Sequence, residues 1–244
     1  YNLLKMTAED RTTLLKETFD PVNGYGYSYI RISLGASDFS LDEYTYCDKP
    51  GIENFAMHEY DKRDLFPILK EIKAINPDVK IMASPWSCPK WMKVNNLQEL
   101  KPFDSWTSGQ LNPKYYQDYA AYFVKYIQAM EAEGFKIDAV TIQNEPLNRG
   151  NSMSLYMTWQ EQRDFVKSAL GPAFEKAGIK TKILVYDHNY NYDEDKAENF
   201  DQKQYPLKIY EDADAAKYID GAAFHAYGGD KEELLKIHNS RPDK

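Results

Sequence analysis

Apolar positions along this chain follow two alternating rhythms. Short runs rich in β-branched residues are separated by longer stretches with apolar residues three and four apart. The longer stretches predict helices. Thr7 is placed to cap a helix running to about residue 19, with Leu14 and Leu15 inward. Residues 62–75 present Leu65, Ile68, Leu69 and Ile72 at helical spacing, and Asn76-Pro77-Asp78 ends that helix. Asn112 before Pro113 marks another start. That helix carries Tyr116, Tyr119, Ala120, Phe123, Val124 and Ile127 and stops near Gly134. A fourth helix is predicted over 159–177, broken at Gly171-Pro172 and closed by Gly178. A short helix near 212–218 and a last one over 231–237 complete the set.

The short apolar runs predict strands at 29–32, 79–83, 139–143, 182–186 and 221–224. Strands separated by helices imply parallel crossovers and an α/β fold. Two architectures satisfy this, an open doubly wound sheet and a (β/α)8 TIM-type barrel. No glycine fingerprint follows a strand, which weakens the dinucleotide-binding version of the open sheet. Polar residues decide for the barrel. The runs end in Ser37-Asp38, Ser84-Pro85-Trp86, Asn144-Glu145, Asp187-His188, and His225 with Tyr227. Catalytic barrels gather their working residues at the C-terminal ends of several strands.

Composition narrows the possible partners. The chain has 244 residues with 43% hydrophobic and 28% charged, enough to build a core. Its net charge is −8, and no basic run is present, which argues against nucleic acid. A neutral glycan meets no such repulsion. The 20 Tyr and 4 Trp suit a surface that grips sugar rings, although core packing accounts for most of the tyrosines. No apolar stretch approaches the roughly 20 residues needed to span a bilayer. Cys47 and Cys88 match no metal motif, and whether they pair is open.

The strongest chemical signal is Thr141-Ile142-Gln143-Asn144-Glu145-Pro146. An apolar strand delivers an amide and a carboxyl side by side, and proline turns the chain. Breaking a glycosidic bond needs an acid to protonate the leaving oxygen. A donor amide beside it can hydrogen-bond the sugar 2-hydroxyl. A carboxyl shielded among aromatics is expected to have a raised pKa. Arg31 is a candidate to pair with a carboxylate at the barrel mouth, Asp38 to accept bonds from sugar hydroxyls, and Trp86 to stack beneath a ring, with Trp91 as core. Asp187 and His188 invite a metal or dyad reading, but no third ligand is evident, and neither metal nor cofactor is expected. The acidic stretch 190–201 reads as a solvated loop.

Asn144-Glu145-Pro146 resembles the acid/base motif of retaining barrel glycosidases. The segment from Ala83 through Ser84-Pro85-Trp86 to Lys93, and the one from Arg31 through Asp38-Phe39 to Ser40, are similar to signature segments of glycoside hydrolase family 30. The resemblance runs over nearly the whole chain, in order. It implies a β-linked glycan or glycolipid as substrate, of the glucosylceramide, β-1,6-glucan or xylan type. It implies Glu145 as general acid/base with Asn144 beside it, and Arg31, Asp38 and Trp86 lining the pocket. His225 and Tyr227 match the family's later His and Tyr. The family's nucleophile would follow Lys244, so residues 1–244 are expected to form part of the catalytic barrel, about five of eight strands, without the accessory β-domain. Such enzymes meet their substrates outside the cytoplasm, so a secreted or periplasmic location is expected. The rival reading is a carbohydrate-binding fragment without chemistry.

Overall fold

The computed structural model describes residues 1–190 and 202–244; the predicted loop at 190–201 lies, apart from Tyr190, outside them. Five strands form one parallel sheet: β1 (Tyr29–Ser33), β2 (Lys80–Ser84), β5 (Ala139–Thr141), β6 (Lys182–Asn189) and β7 (Gly221–His225). Their order in space is their order in the chain, so no strand order reverses. A doubly wound sheet needs such a reversal at its ligand site. The sheet is therefore wound in the sense of a barrel wall. A short antiparallel pair, β3 (Lys93–Val94) with β4 (Gln110–Leu111), was not anticipated from the sequence. Two-residue strands leave no periodicity to read.

Helices alternate with the wall strands: α1 (Ala8–Phe19), α2 (Phe66–Ile75), α3 (Tyr116–Ala132), α4 (Trp159–Phe165) and α5 (Gly171–Ala177), then α6 (Tyr205–Tyr210), α7 (Ala213–Ala216) and α8 (Glu232–Ser240). Thr7 caps α1 by accepting from the Asp10 amide, and Asn112 accepts from that of Lys114 ahead of α3. Leu15 is buried, but Leu14 is on the open side of α1, correcting the inward placement. The predicted helix over 159–177 divides earlier than Gly171-Pro172, at a π-helical turn spanning Val166–Leu170. Pro172 sits in the first turn of α5, where its missing N–H costs nothing.

The α3 face carrying Tyr119, Tyr122, Phe123, Tyr126 and Met130 is fully buried. Tyr46 stacks on Tyr126 at 5.6 Å between centroids, and Phe123 packs edge-on to Tyr119 at 5.1 Å. Much of the tyrosine excess is therefore core. Truncating such a residue, as in Phe123→Ala, typically costs about 3–5 kcal/mol. Cys47 and Cys88 are both buried free thiols, so they do not pair. No helix among the described residues is long and apolar enough to cross a membrane.

Candidate active site

Parallel strands bring their C-terminal ends to one rim. In β1, Ile30 and Ile32 pack against the helices, which by alternation turns Arg31 to the opposite, inner face. Each wall strand adds one polar side chain to a layer there: Arg31, Ser84, Thr141, Asp187 and His225. Arg31 Nε donates to Ser84 Oγ at 3.0 Å, and its Nη2 donates to Asn144 Oδ1 and Asp187 Oδ2, both at 2.8 Å. Thr141 Oγ1 donates to Asp187 Oδ2 at 2.7 Å and lies 2.8 Å from Ser84 Oγ. The opposite oxygen of Asp187 meets His225 Nε2 at 2.9 Å. Nδ1 of the same ring meets Glu145 Oε1 at 3.1 Å. One continuous chain thus links Arg31, Asp187, His225 and Glu145.

Backbone geometry aims these groups. Glu145 has φ 45°, and Tyr186 and Asp187 have φ 71° and 62°. Non-glycine residues rarely occupy this left-handed region, and roughly 1–2 kcal/mol each is the usual cost. The β6–β7 register shifts between Tyr186 and His188, a bulge that turns Asp187 toward the rim. The Glu145 amide donates to the Asp187 carbonyl at 2.9 Å, and the Asn144 amide to that of Pro85 at 2.8 Å. These bonds hold the end of β5 between its neighbours although the regular ladder stops at Thr141, not Gln143.

All seven residues singled out in the sequence, Arg31, Asp38, Trp86, Asn144, Glu145, His225 and Tyr227, line one cleft of about 420 Å³. Phe39 and Asn151 line it too. Trp86 is 8% exposed, and the Arg31 guanidinium lies over its ring at 4.8 Å. Open aromatic surface comes instead from Phe39, 93% exposed, and Tyr227, 87% exposed. Trp91 is the structural member of the Trp pair, its indole N–H donating to the Cys47 carbonyl at 2.7 Å. Arg31 pairs with Asp187 rather than with Glu145, and its side-chain link to the Glu145 carboxyl runs through Asp187 and His225.

The raised pKa expected of Glu145 is overturned. The hydrogen bond from His225 outweighs burial, and with amide donation from Asn148 it brings the carboxyl down to about 2. Glu145 Oε2 accepts from Asn148 Nδ2 at 2.8 Å and Asn151 Nδ2 at 2.9 Å. Burial opposes charge on His225, but hydrogen bonds to Asp187 and Glu145 raise it to about 9. Burial alone would raise Asp187; the His225 bond and the Arg31 charge hold it below the usual carboxylate range. His188 is lowered to about 4, mainly by burial. Its Nδ1 accepts the Asn189 amide, and Asp187 is taken up by Arg31, Thr141 and His225, an arrangement of protein partners rather than of metal ligands. Sequence reasoning missed the organising place of Asp187 and the amides of Asn148 and Asn151. Asp187 carried the signal shared by the others, a polar residue ending a strand run. The two asparagines lie in a loop three and six residues past Glu145, where no periodicity marks them.

The sequence matches the glycosyl hydrolase family 30 TIM-barrel domain over residues 1–244. The endo-1,6-beta-D-glucanase of Neurospora crassa is 33% identical over 245 residues, covering 97% of this chain and 48% of that protein. The lysosomal acid glucosylceramidase of Mus musculus is 32% identical, over 93% of this chain and 43% of the relative. A solved endo-beta1,6-glucanase superposes with a TM-score of 0.96 at 63% identity, over 100% of this chain and 52% of its own. The chain spans about half the length of the relatives it matches. With its barrel-type parallel wall and this match along its whole length, the chain belongs to glycosyl hydrolase family 30.

Proposed function

We propose that this chain supplies the acid/base side of a retaining β-glycosidase acting on β-1,6-linked glucan, with Glu145 donating and later withdrawing the proton. The observation that carries this reading is the Glu145 carboxyl at the end of β5, opening on a cleft lined by Asp38, Trp86, Asn144 and Tyr227. Asp38 accepts hydrogen bonds from sugar hydroxyls, Phe39 and Tyr227 offer ring faces, and Asn144 donates to the 2-hydroxyl while Arg31 holds its amide oxygen. The linkage is supported by the 63% identity to an endo-beta1,6-glucanase, against 32% to a glucosylceramidase.

Retention requires a second carboxylate about 5–5.5 Å from the first. Asp187 is a poor nucleophile because it is buried and saturated by Arg31, Thr141 and His225. The nucleophile is taken instead to be the Glu that the family resemblance implies on a strand following the segment of His225 and Tyr227. Its charge also resolves the protonation problem. A second carboxylate at that distance is worth roughly 3 kcal/mol at an effective dielectric of 20, or about two pKa units. That moves Glu145 from about 2 toward the ordinary carboxyl range, and a bound sugar that excludes water moves it further. Protonated His225 then stabilises the carboxylate that remains once the leaving oxygen has taken the proton. A polymer of this kind is met outside the cytoplasm, and we place the enzyme in a secreted or periplasmic setting.

The experiment is to follow hydrolysis of linear β-1,6-glucan by the full-length protein with proton NMR. The first-formed reducing end is expected to be the β-anomer; the α-anomer contradicts a retaining mechanism. Residues 1–244 alone are expected to show no turnover, and activity from that chain would return the nucleophile to one of its own carboxylates.

A further inference from the structure

A lysine is buried against the loop that follows Glu145 with no role in the chemistry above. Lys93, in β3, is 2% exposed. Its three ammonium protons are shared among four main-chain carbonyls: Ser105 at 3.0 Å, Trp106 at 3.1 Å, Ser108 at 2.9 Å and Ser154 at 2.8 Å. The first three belong to one loop, the fourth to the loop that follows Glu145. Further bonds join the same loops, among them Arg149 Nη1 to Ser108 Oγ at 3.5 Å and, just beyond, the Tyr156 amide to the Gly109 carbonyl at 2.9 Å. The Ser108 amide donates to Ser154 Oγ at 2.8 Å, and the Ser154 amide to the Trp106 carbonyl at 2.9 Å. The second loop carries Asn148 and Asn151, whose amides reach Glu145 Oε2.

We propose that Lys93 is a positioning residue for Glu145, its ammonium fastening the 105–108 and 149–154 segments together so that Asn148 and Asn151 stay against the carboxylate. This rests on the reading of Glu145 as the acid/base. A buried ammonium is a costly filler, since desolvation disfavours its charge, and a methionine would occupy a similar volume. Burial lowers Lys93 to about 8, the Cys88 thiol and Lys90 being the titratable groups that face it. What an ammonium adds over methionine is three donors at one point. They are spent on two loops that also meet through main-chain and side-chain hydrogen bonds, so the ammonium adds a buried, charged tie to that seam. Only the second of those loops reaches Glu145, so Lys93 bears on the carboxylate through the two amides.

The alkaline limb of kcat/KM in the full-length enzyme reports loss of the proton from the acid/base. The groups around Glu145 are His225, His188, Asp187 and Arg31, all unchanged in the variants that follow. Removing both amide donors, Asn148→Ala with Asn151→Ala, favours the protonated carboxyl and raises that limb by about one pH unit or more. Lys93→Met is expected to raise it in the same direction by about half a unit. Added to the double variant, it is expected to cause no further rise. A Lys93→Met enzyme with a lower rate or melting temperature but an unmoved limb overturns the proposal. So does a further rise in the triple variant. Ser154→Ala covers the case in which Lys93→Met does not fold: it cuts a tie between the same loops and is expected to raise the limb slightly, and no movement there counts against Lys93. A limb unmoved even by loss of both amides contradicts the acid/base reading itself, not the role of Lys93.

Discussion

Two aspartates stand at the same rim in opposite circumstances. Asp38, beyond β1, is exposed and lines the cleft. Asp187, in the bulge of β6, is 1% exposed and bonded to Arg31, Thr141 and His225. The difference follows from sheet position. β1 lies at one end of the described sheet, and the chain after it turns away through Gly35, whose φ of 86° favours glycine. β6 has partners on both sides, so a carboxylate turned inward there must be paired or it will not stay charged. A paired, buried carboxylate organises its neighbours; an open one is free to exchange water for sugar hydroxyls.

Asp187→Ala is the most damaging way to break this contrast. It leaves the Arg31 guanidinium and His225 without their partner, and breaking a buried pair in this way typically costs about 3–5 kcal/mol. Urea unfolding of the full-length protein checks it; a loss below about 1 kcal/mol means Asp187 is not the anchor. The network also has a pH window. His225 is raised in the folded protein to about 9, so its contribution to stability is complete below its ordinary value near 6.5 and lost as pH rises through 9. Glu145 is lowered to about 2, so its contribution is present above about 4.5 and lost as pH falls toward 2. The combined contribution of His225 and Glu145 to the melting temperature is expected to be greatest between about pH 4.5 and 6.5 and to fall on both sides. Buried His188, lowered to about 4, adds to the loss below pH 6.5, and Asp187→Asn should remove most of the alkaline fall. Asp38→Ala, by contrast, is expected to leave the melting temperature unchanged and raise KM by about 10-fold, as for a lost charged hydrogen bond. Smallest is Phe39→Ala, which removes one ring face and is expected to raise KM by about fivefold with kcat preserved.

Where the sequence was legible, one physical rule explains why. Parallel strands bring their C-terminal ends together, so a polar residue after an apolar run marks the rim, and Asp38, Trp86, Glu145 and His225 were readable on that basis. The five wall strands were readable as short apolar runs to within a few residues. What escaped depends on three-dimensional placement. The charge state of Glu145 is set by an imidazole 80 positions away, and nothing local announces that His225 will reach it. Trp86 was expected to lie open to the cleft, but Arg31, 55 positions before it, covers the ring. Asn148 and Asn151 sit in a loop without a repeating pattern, and Lys93 was marked only as the end of a signature-like segment, with no local sign that its ammonium is buried. Tertiary partners fix the pKa, and the sequence lists residues without their partners.

The most direct test concerns the proton on Glu145. In the full-length enzyme, Glu145→Gln keeps the side-chain shape and removes the acid. The first step on aryl β-glucosides with poor leaving groups is expected to slow by about 100-fold or more, while those with good leaving groups are slowed far less. An equal loss across the leaving-group series would mean that the proton comes from another residue.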